Sequence, residues 1–264
     1  MFEQRFHPSA DPPAWVSSLS GWDTAAGARV DPQSALQVVA VLACVRVISE
    51  TLASLPLVTY RRLKPRGKER APDHHLYSLL HDAPNPEMTS MELREAVQAH
   101  ACTWGNGFAE IDIDGAGRAQ ELWPLRPDRM QIQRNKSTRR LEYVYRLPDK
   151  VGGFEVVLQK ERVLHLRGMG FDGIVGYSPI QLARQAIGLA LATEEFGARF
   201  FGNGATPGLV LTHPQKLSKE AHDRLKESWE ERHQGLERSH RIAILEEGLK
   251  TEKIGIPPED AQFL

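Results

Sequence analysis

Two apolar rhythms alternate along the chain, one repeating every three to four residues and one every second residue, and their boundaries mark out its elements. Leu36, Val39, Ala43, Val47 and Ile48 recur at helical spacing and predict a helix over 34–54, stopped by Pro56. A short strand is predicted at 57–60, a basic turn at 61–70 and a short helix at 74–81. Thr89 or Ser90 caps a helix over 91–104. The period of two then takes over at 108–113, 121–125, 130–133, 141–145, 155–158 and 163–166. Ser178, with Pro179 after it and Gln181 at the capping-box position, opens a helix that runs to Phe201 and stops at Gly202-Asn203-Gly204. Its apolar residues, from Ile180 through Phe201, point almost all round, so neighbours are expected on most sides. Arg184, Glu194, Glu195 and Arg199 make lipid a poor neighbour and other protein helices a good one. Beyond it lie a strand at 208–212, a surface helix at 218–233 with a narrow Ala221, Leu225, Trp229 stripe, and a strand at 241–246. Pro257-Pro258-Glu259-Asp260 opens one more helix close to Leu264, so the chain is expected to be part of a longer one. The fold class is α+β.

Composition narrows the function classes. The 264 residues are 41% hydrophobic and 25% charged, which suits a globular chain with a sizeable core. A net charge of −1 gives no polycation for tight phosphate-driven DNA binding. Cys44 and Cys102 lie in apolar helical patterns and are expected to be buried free thiols, as in a reducing cytoplasm. The first residues lack a signal-peptide core, and 35–55 is a poor membrane span because Gln37, Arg46 and Glu50 interrupt it.

Candidate chemistry is sparse. Glu110, Asp112 and Asp114 share a strand face and can hold a hard cation or act as acid and base, but Asp114-Gly115 also suits a hairpin turn. Asp73-His74-His75 and His81-Asp82 read as helix caps, with no His-Glu-x-x-His or Cys-x-x-Cys pattern nearby. Gly105-Asn106-Gly107 and Gly202-Asn203-Gly204 follow helices and read as C-caps, not phosphate loops. Ser178 reads as a cap, not a nucleophile. The basic runs 61–70 and 134–140 can meet phosphate; without interleaved aromatics they read as solvated hairpin tips. No catalytic site, metal site or cofactor emerges. A second reading remains open, a monomeric intracellular metal-dependent enzyme or phosphate-binding protein using the Glu110/Asp112/Asp114 face.

The order of several segments resembles the portal proteins of tailed double-stranded DNA bacteriophages and their prophages, in the large family of long-tailed phages. The matching segments are Ala43-Cys44-Val45-Arg46-Val47-Ile48-Ser49-Glu50-Thr51-Leu52-Ala53-Ser54-Leu55-Pro56, Leu79-Leu80 with Pro84-Asn85, and Trp104-Gly105-Asn106-Gly107-Phe108-Ala109. Further along come Gly176-Tyr177-Ser178-Pro179-Ile180, the run from Phe200 to Gly208, and the run from Glu259 to Leu264.

The resemblance implies a portal-like fold: an N-terminal arm (1–34), a wing-like α+β domain (35–176), a first stem helix (177–204), a small α/β clip (205–256) and the start of a second stem helix (257–264). It implies a non-enzymatic ring of about twelve copies at one capsid vertex. Double-stranded DNA passes through such a ring without sequence preference, and the ring docks the large terminase, the head-completion adaptor and the major capsid protein. The expected location is the virion, with assembly in the host cytoplasm and no membrane. Ile180, Arg184, Ile187, Leu191, Glu194, Glu195 and Arg199 are expected at the stem interface, with Glu195 and Arg199 also placed for a local pair. Leu225, Trp229, Arg241 and Ile244 are expected to serve adaptor or terminase docking on the clip.

Overall fold

A computed structural model describes residues 23–148, 152–170, 172–202, 209–212, 218–219, 223–224 and 250–253. The chain divides into two compact units, Met1–Gly188 and Leu189–Leu264.

From Asp23 onward the arm expected over 1–34 is held in place. Asp23 bridges Arg29, Val30 is fully buried, and Asp31 caps a one-turn helix α1 (Pro32–Ala35) through a capping box with Ser34. The expected helix over 34–54 is therefore two pieces, because α2 (Val39–Ser54) starts only after a turn at Leu36–Val38. The expected apolar stripe is also displaced. The buried positions of α2 are Ser49 and Ala53, small side chains that let a neighbouring helix come close, with Val41, Val45 and Glu50 half-buried. Cys44 is exposed, contrary to expectation, because it lies away from that stripe, while Cys102 is half-buried.

A two-stranded ribbon, β1 (Tyr60–Arg62) with β2 (Lys68–Arg70), replaces the strand expected at 57–60. Helix α3 (His75–His81) is capped by the His74 ring, and α4 (Ser90–Trp104) by a Thr89–Glu92 capping box. Arg94 ties these helices together. Its Nη2 donates to the Ala53 carbonyl at 2.7 Å and its Nη1 to the Leu80 carbonyl at 3.2 Å, satisfying the free carbonyls at two helix C-termini.

Two antiparallel sheets follow. β3 (Asn106–Ile113) lies between β4 (Ala119–Leu125) and β8 (Val163–Arg167); β6 (Leu141–Arg146) lies between β5 (Met130–Arg134) and β7 (Glu155–Gln159). Side-chain alternation sends β3 into two cores. Ala109 joins Leu79, Leu93, Val97 and Leu122 under α3 and α4, while Phe108 joins Leu125, Tyr143, Leu158 and Val163. Helix α5 (Pro179–Leu182) is followed by α6 (Arg184–Gly202). The expected continuous helix departs from regular geometry at Ala183, although Ala183 and Ile187 keep their bonds to residues four back.

In the second unit β9 (Leu209–Thr212) pairs antiparallel with β10 (Lys250–Lys253). Lys250-Thr-Glu-Lys has no apolar alternation, so the sequence pattern predicts no strand there. The strand expected at 241–246 and most of the helix expected at 218–233 lie outside the described residues.

Candidate functional site: the seat of the long helix

The long helix starts on a junction made mostly of backbone. Gly105 ends α4 in the left-handed conformation (φ 80°), which glycine adopts without a Cβ penalty. Its carbonyl accepts from the Gly168 N–H at 2.8 Å, and a Cβ at Gly176 would sit 2.0 Å from that same oxygen. A Cβ at Gly105 would meet the Tyr177 carbonyl at 2.2 Å. Side chains are thus excluded from both sides of the contact. Ser178 then does two jobs: its hydroxyl donates to the Thr103 carbonyl at 2.6 Å and accepts from the Gln181 N–H at 3.2 Å.

Asn106 completes the seat. Its Nδ2 donates to the Gly176 carbonyl and its Oδ1 accepts from the Gly176 N–H, both at 2.8 Å. The same Oδ1 meets His165 Nε2 at 3.0 Å. Because that oxygen can only accept, Nε2 carries the proton, and His165 Nδ1 accepts from the Tyr143 hydroxyl at 3.2 Å. His165 also lies against the Phe108 ring. Burial, with the charge of Arg167 as a lesser cause, pushes His165 down to about 4, so the ring is neutral near pH 7. The chain from Tyr143 through His165 and Asn106 to Gly176 links β6, β8 and β3 to the start of α5.

The residues expected at a stem interface divide into groups. Ile180 and Ile187 are buried against their own chain, Leu191 and Arg184 are half-buried, and Glu194, Glu195 and Arg199 are exposed. Arg184 Nη1 donates to the Gln181 carbonyl at 3.2 Å. Glu195 and Arg199 form the local pair one turn apart. The exposed apolar positions are different ones, Leu189 at 62% and Phe196 at 49%, two turns apart on α6. At the first turn of α6, Gly188 lets Thr24 approach to where a Cβ would stand 2.5 Å away, and Gln185 Oε1 accepts from the Ala25 N–H. Leu225, Trp229, Arg241 and Ile244 lie outside the described residues.

The carboxylate face does not form a site. The Asp114 carboxylate accepts from the Ala116 and Arg118 N–H groups at 2.8 and 2.9 Å and pairs with the Arg118 side chain, holding the turn. Those bonds keep its carboxyl below the usual range. Asp112 meets Arg162 at 3.2 Å. Among the described residues no group of three or more His, Cys, Asp or Glu is placed to hold a metal, and no helix is long and apolar enough to cross a membrane.

The family model described as phage portal protein matches residues 39–264. The chain belongs to the phage portal protein family. It is 37% identical over 248 residues to a probable portal protein of Streptomyces phage phiC31, covering 91% of this chain and 53% of that protein. Against the portal protein of Enterobacteria phage HK97 the identity is 32% over 237 residues, covering 89% of this chain and 54% of that one. The chain therefore spans about half the length of these curated relatives. Among solved structures, a neck of an empty gene transfer agent particle aligns with a TM-score of 0.58 at 24% identity, over 97% of this chain and 66% of that one. An HK97-family phage portal protein from Corynebacterium diphtheriae aligns with a TM-score of 0.56 at 17% identity, over 91% and 71%. The α+β fold is thus portal-like.

Sequence reasoning missed Asn106 as a polar anchor because the cap reading accounts for the Gly-Asn-Gly backbone without any use for its side chain. The partner, Gly176, is 70 residues away. The available signal was the pairing of two glycine-bearing portal segments, Trp104–Ala109 and Gly176–Ile180, which turn out to be the two halves of one joint.

Proposed function

We propose that this chain is a subunit of a portal ring, a non-enzymatic conduit at the capsid vertex through which double-stranded DNA is packaged and ejected. The observation that carries the reading is the apolar surface of α2, a helix in the family-matching region. Val39 and Val47 are 73% and 63% exposed, Ile48 and Leu52 are exposed on the same helix, and Leu55, just past its end, is 65% exposed. Folded monomers rarely leave so much contiguous apolar surface in water unless it meets something. A head-to-tail contact repeated around a closed ring covers such faces without self-complementarity. About twelve copies suit the resemblance to portal rings, and the necks of gene transfer agent particles include one computed with C12 symmetry.

In this reading 35–176 is the wing, 177–204 the first stem helix, 205–256 the clip and 257–264 the start of the second stem helix. Arg184, Leu191, Glu194, Leu189 and Phe196 serve the stem seam. Leu225, Trp229, Arg241 and Ile244 serve docking of the terminase and the head-completion adaptor, and the wing meets the major capsid protein. Assembly takes place in the host cytoplasm and the product resides in the virion. Native mass measurement of the full-length product tests the proposal: a closed ring is expected, and a stable monomer under packaging conditions would overturn it.

A further inference from the structure

The β1–β2 ribbon carries six cations, Arg61, Arg62, Lys64, Arg66, Lys68 and Arg70, against one carboxylate, Glu69, in a chain whose net charge is −1. Every residue of both strands is exposed. The pairing register sorts these charges between the two faces. Arg61 stands opposite Glu69, and their side chains meet at 3.5 Å, so that face is compensated. On the other face Arg62 stands opposite Lys68, and Arg70 opposite Tyr60. Like charges directly opposite each other in a ladder are destabilising. Among the described residues no carboxylate pairs with Arg62, Lys68 or Arg70; only the Tyr60 ring, 4.6 Å from the Lys68 ammonium, eases the repulsion.

We infer that this face of the ribbon is a docking site for the phosphate backbone of duplex DNA. Cations on one strand recur every second residue, about 6.7 Å apart, and the second strand lies about 4.8 Å away, giving a compact grid of positive charge. A two-stranded ribbon also fits the major groove, about 12 Å wide. Residues 59–71 contain no Asn or Gln to read adenine, and the proposal assigns the Arg and Lys side chains to phosphates, contacts that position the ribbon without reading sequence. The cationic face lacks the apolar positions that an acidic protein segment would use for anchoring, since its one large ring is already under Lys68. This site is separate from the stem helix and does not depend on ring formation.

The test is binding of a labelled duplex of about 20 base pairs to the chain across about 20–100 mM salt. The chain is expected to bind with steep salt dependence. The triple variant Arg62→Gln/Lys68→Gln/Arg70→Gln should bind at least tenfold more weakly at the lowest salt, with the log–log salt slope reduced by about 2 to 3. Glu69→Gln removes the ribbon's one negative charge and should bind more tightly through the added net positive charge, an effect that misfolding would not produce. No binding by the unaltered chain at the lowest salt, or an unchanged slope in the triple variant, overturns the inference. Tighter binding to polyglutamate than to duplex also overturns it, in favour of an acidic protein partner. A chain that binds duplex through the ribbon but stays monomeric would uphold this site and contradict the ring, so the two proposals fail separately.

Discussion

Asn106 holds Gly176 by both of its backbone groups, donating to the carbonyl and accepting from the N–H at 2.8 Å each. Replacing the side chain leaves those two groups and His165 Nε2 without their partner in a buried place, where each unsatisfied group is costly. Asn106→Ala is expected to lower unfolding free energy by about 2 to 4 kcal/mol, read from urea denaturation.

The glycines of the same joint allow a sharper contrast. Gly176→Ala would push a methyl to 2.0 Å from the Gly105 carbonyl, a backbone atom that cannot swing aside. Loss of about 3 kcal/mol or failure to fold is expected. At Gly115 a methyl would meet nothing within 4 Å, so Gly115→Ala should leave the melting temperature within the range of a neutral surface change.

Acid should weaken the fold through His165. Its folded value, about 4, lies below the ordinary 6.5, so the unfolded chain takes up the proton first. Stability is therefore complete above about pH 6.5, falls as pH drops toward 4, and loses nothing more from this group below that. Allowing for partial exposure, the loss is about 2 kcal/mol. Burial lowers His100 as well, adding a change of the same sign. His165→Phe should flatten the slope of stability against pH over this window while retaining the His100 part.

If α2 is covered by a neighbouring copy, charge on its open face should block assembly and spare the fold. Ile48→Asp with Leu52→Glu in the full-length product is expected to give a folded monomer. Size-exclusion chromatography with light scattering reads assembly, and urea denaturation should show a change of less than about 1 kcal/mol. Rings of unchanged mass would remove α2 from the seam.

If residues 205–256 form the proposed clip, Trp229, the large aromatic of the stripe expected over 218–233, is the strongest candidate for its docking contact, since aromatics dominate interface energies. Trp229→Ala should weaken ring assembly or adaptor binding by tenfold or more, measured by native mass spectrometry and adaptor pull-down. Unaltered rings with unaltered adaptor affinity would count against a docking role.

Elements whose causes are local were legible in the sequence. Thr89, one of the two expected caps, starts α4 in a box with Glu92, and the six alternating segments became β3 through β8 with ends moved by a residue or two. Elements governed by distant partners were not. The apolar pattern of α2 pointed to its large side chains as the buried ones, whereas the positions its own chain buries are the small Ser49 and Ala53. Helical spacing records which residues are apolar, and a helix apolar on several sides leaves open which side meets its own chain. For the same reason Ile180 and Ile187 turned inward while Leu189 and Phe196 are exposed. The hydrogen bonds of Asn106 depend on a loop 70 residues away, and no local periodicity encodes that.

The junction of Gly105 and Gly176 has a mechanical consequence. Two stretches of main chain touch there with no side chain between them, so there is no rotamer to yield under load. Tension on the start of α5 passes through Ser178 to the last turn of α4 and through Asn106 to the centre of the β4–β3–β8 sheet. The joint behaves as a stiff coupling, one that transmits a pull instead of absorbing it.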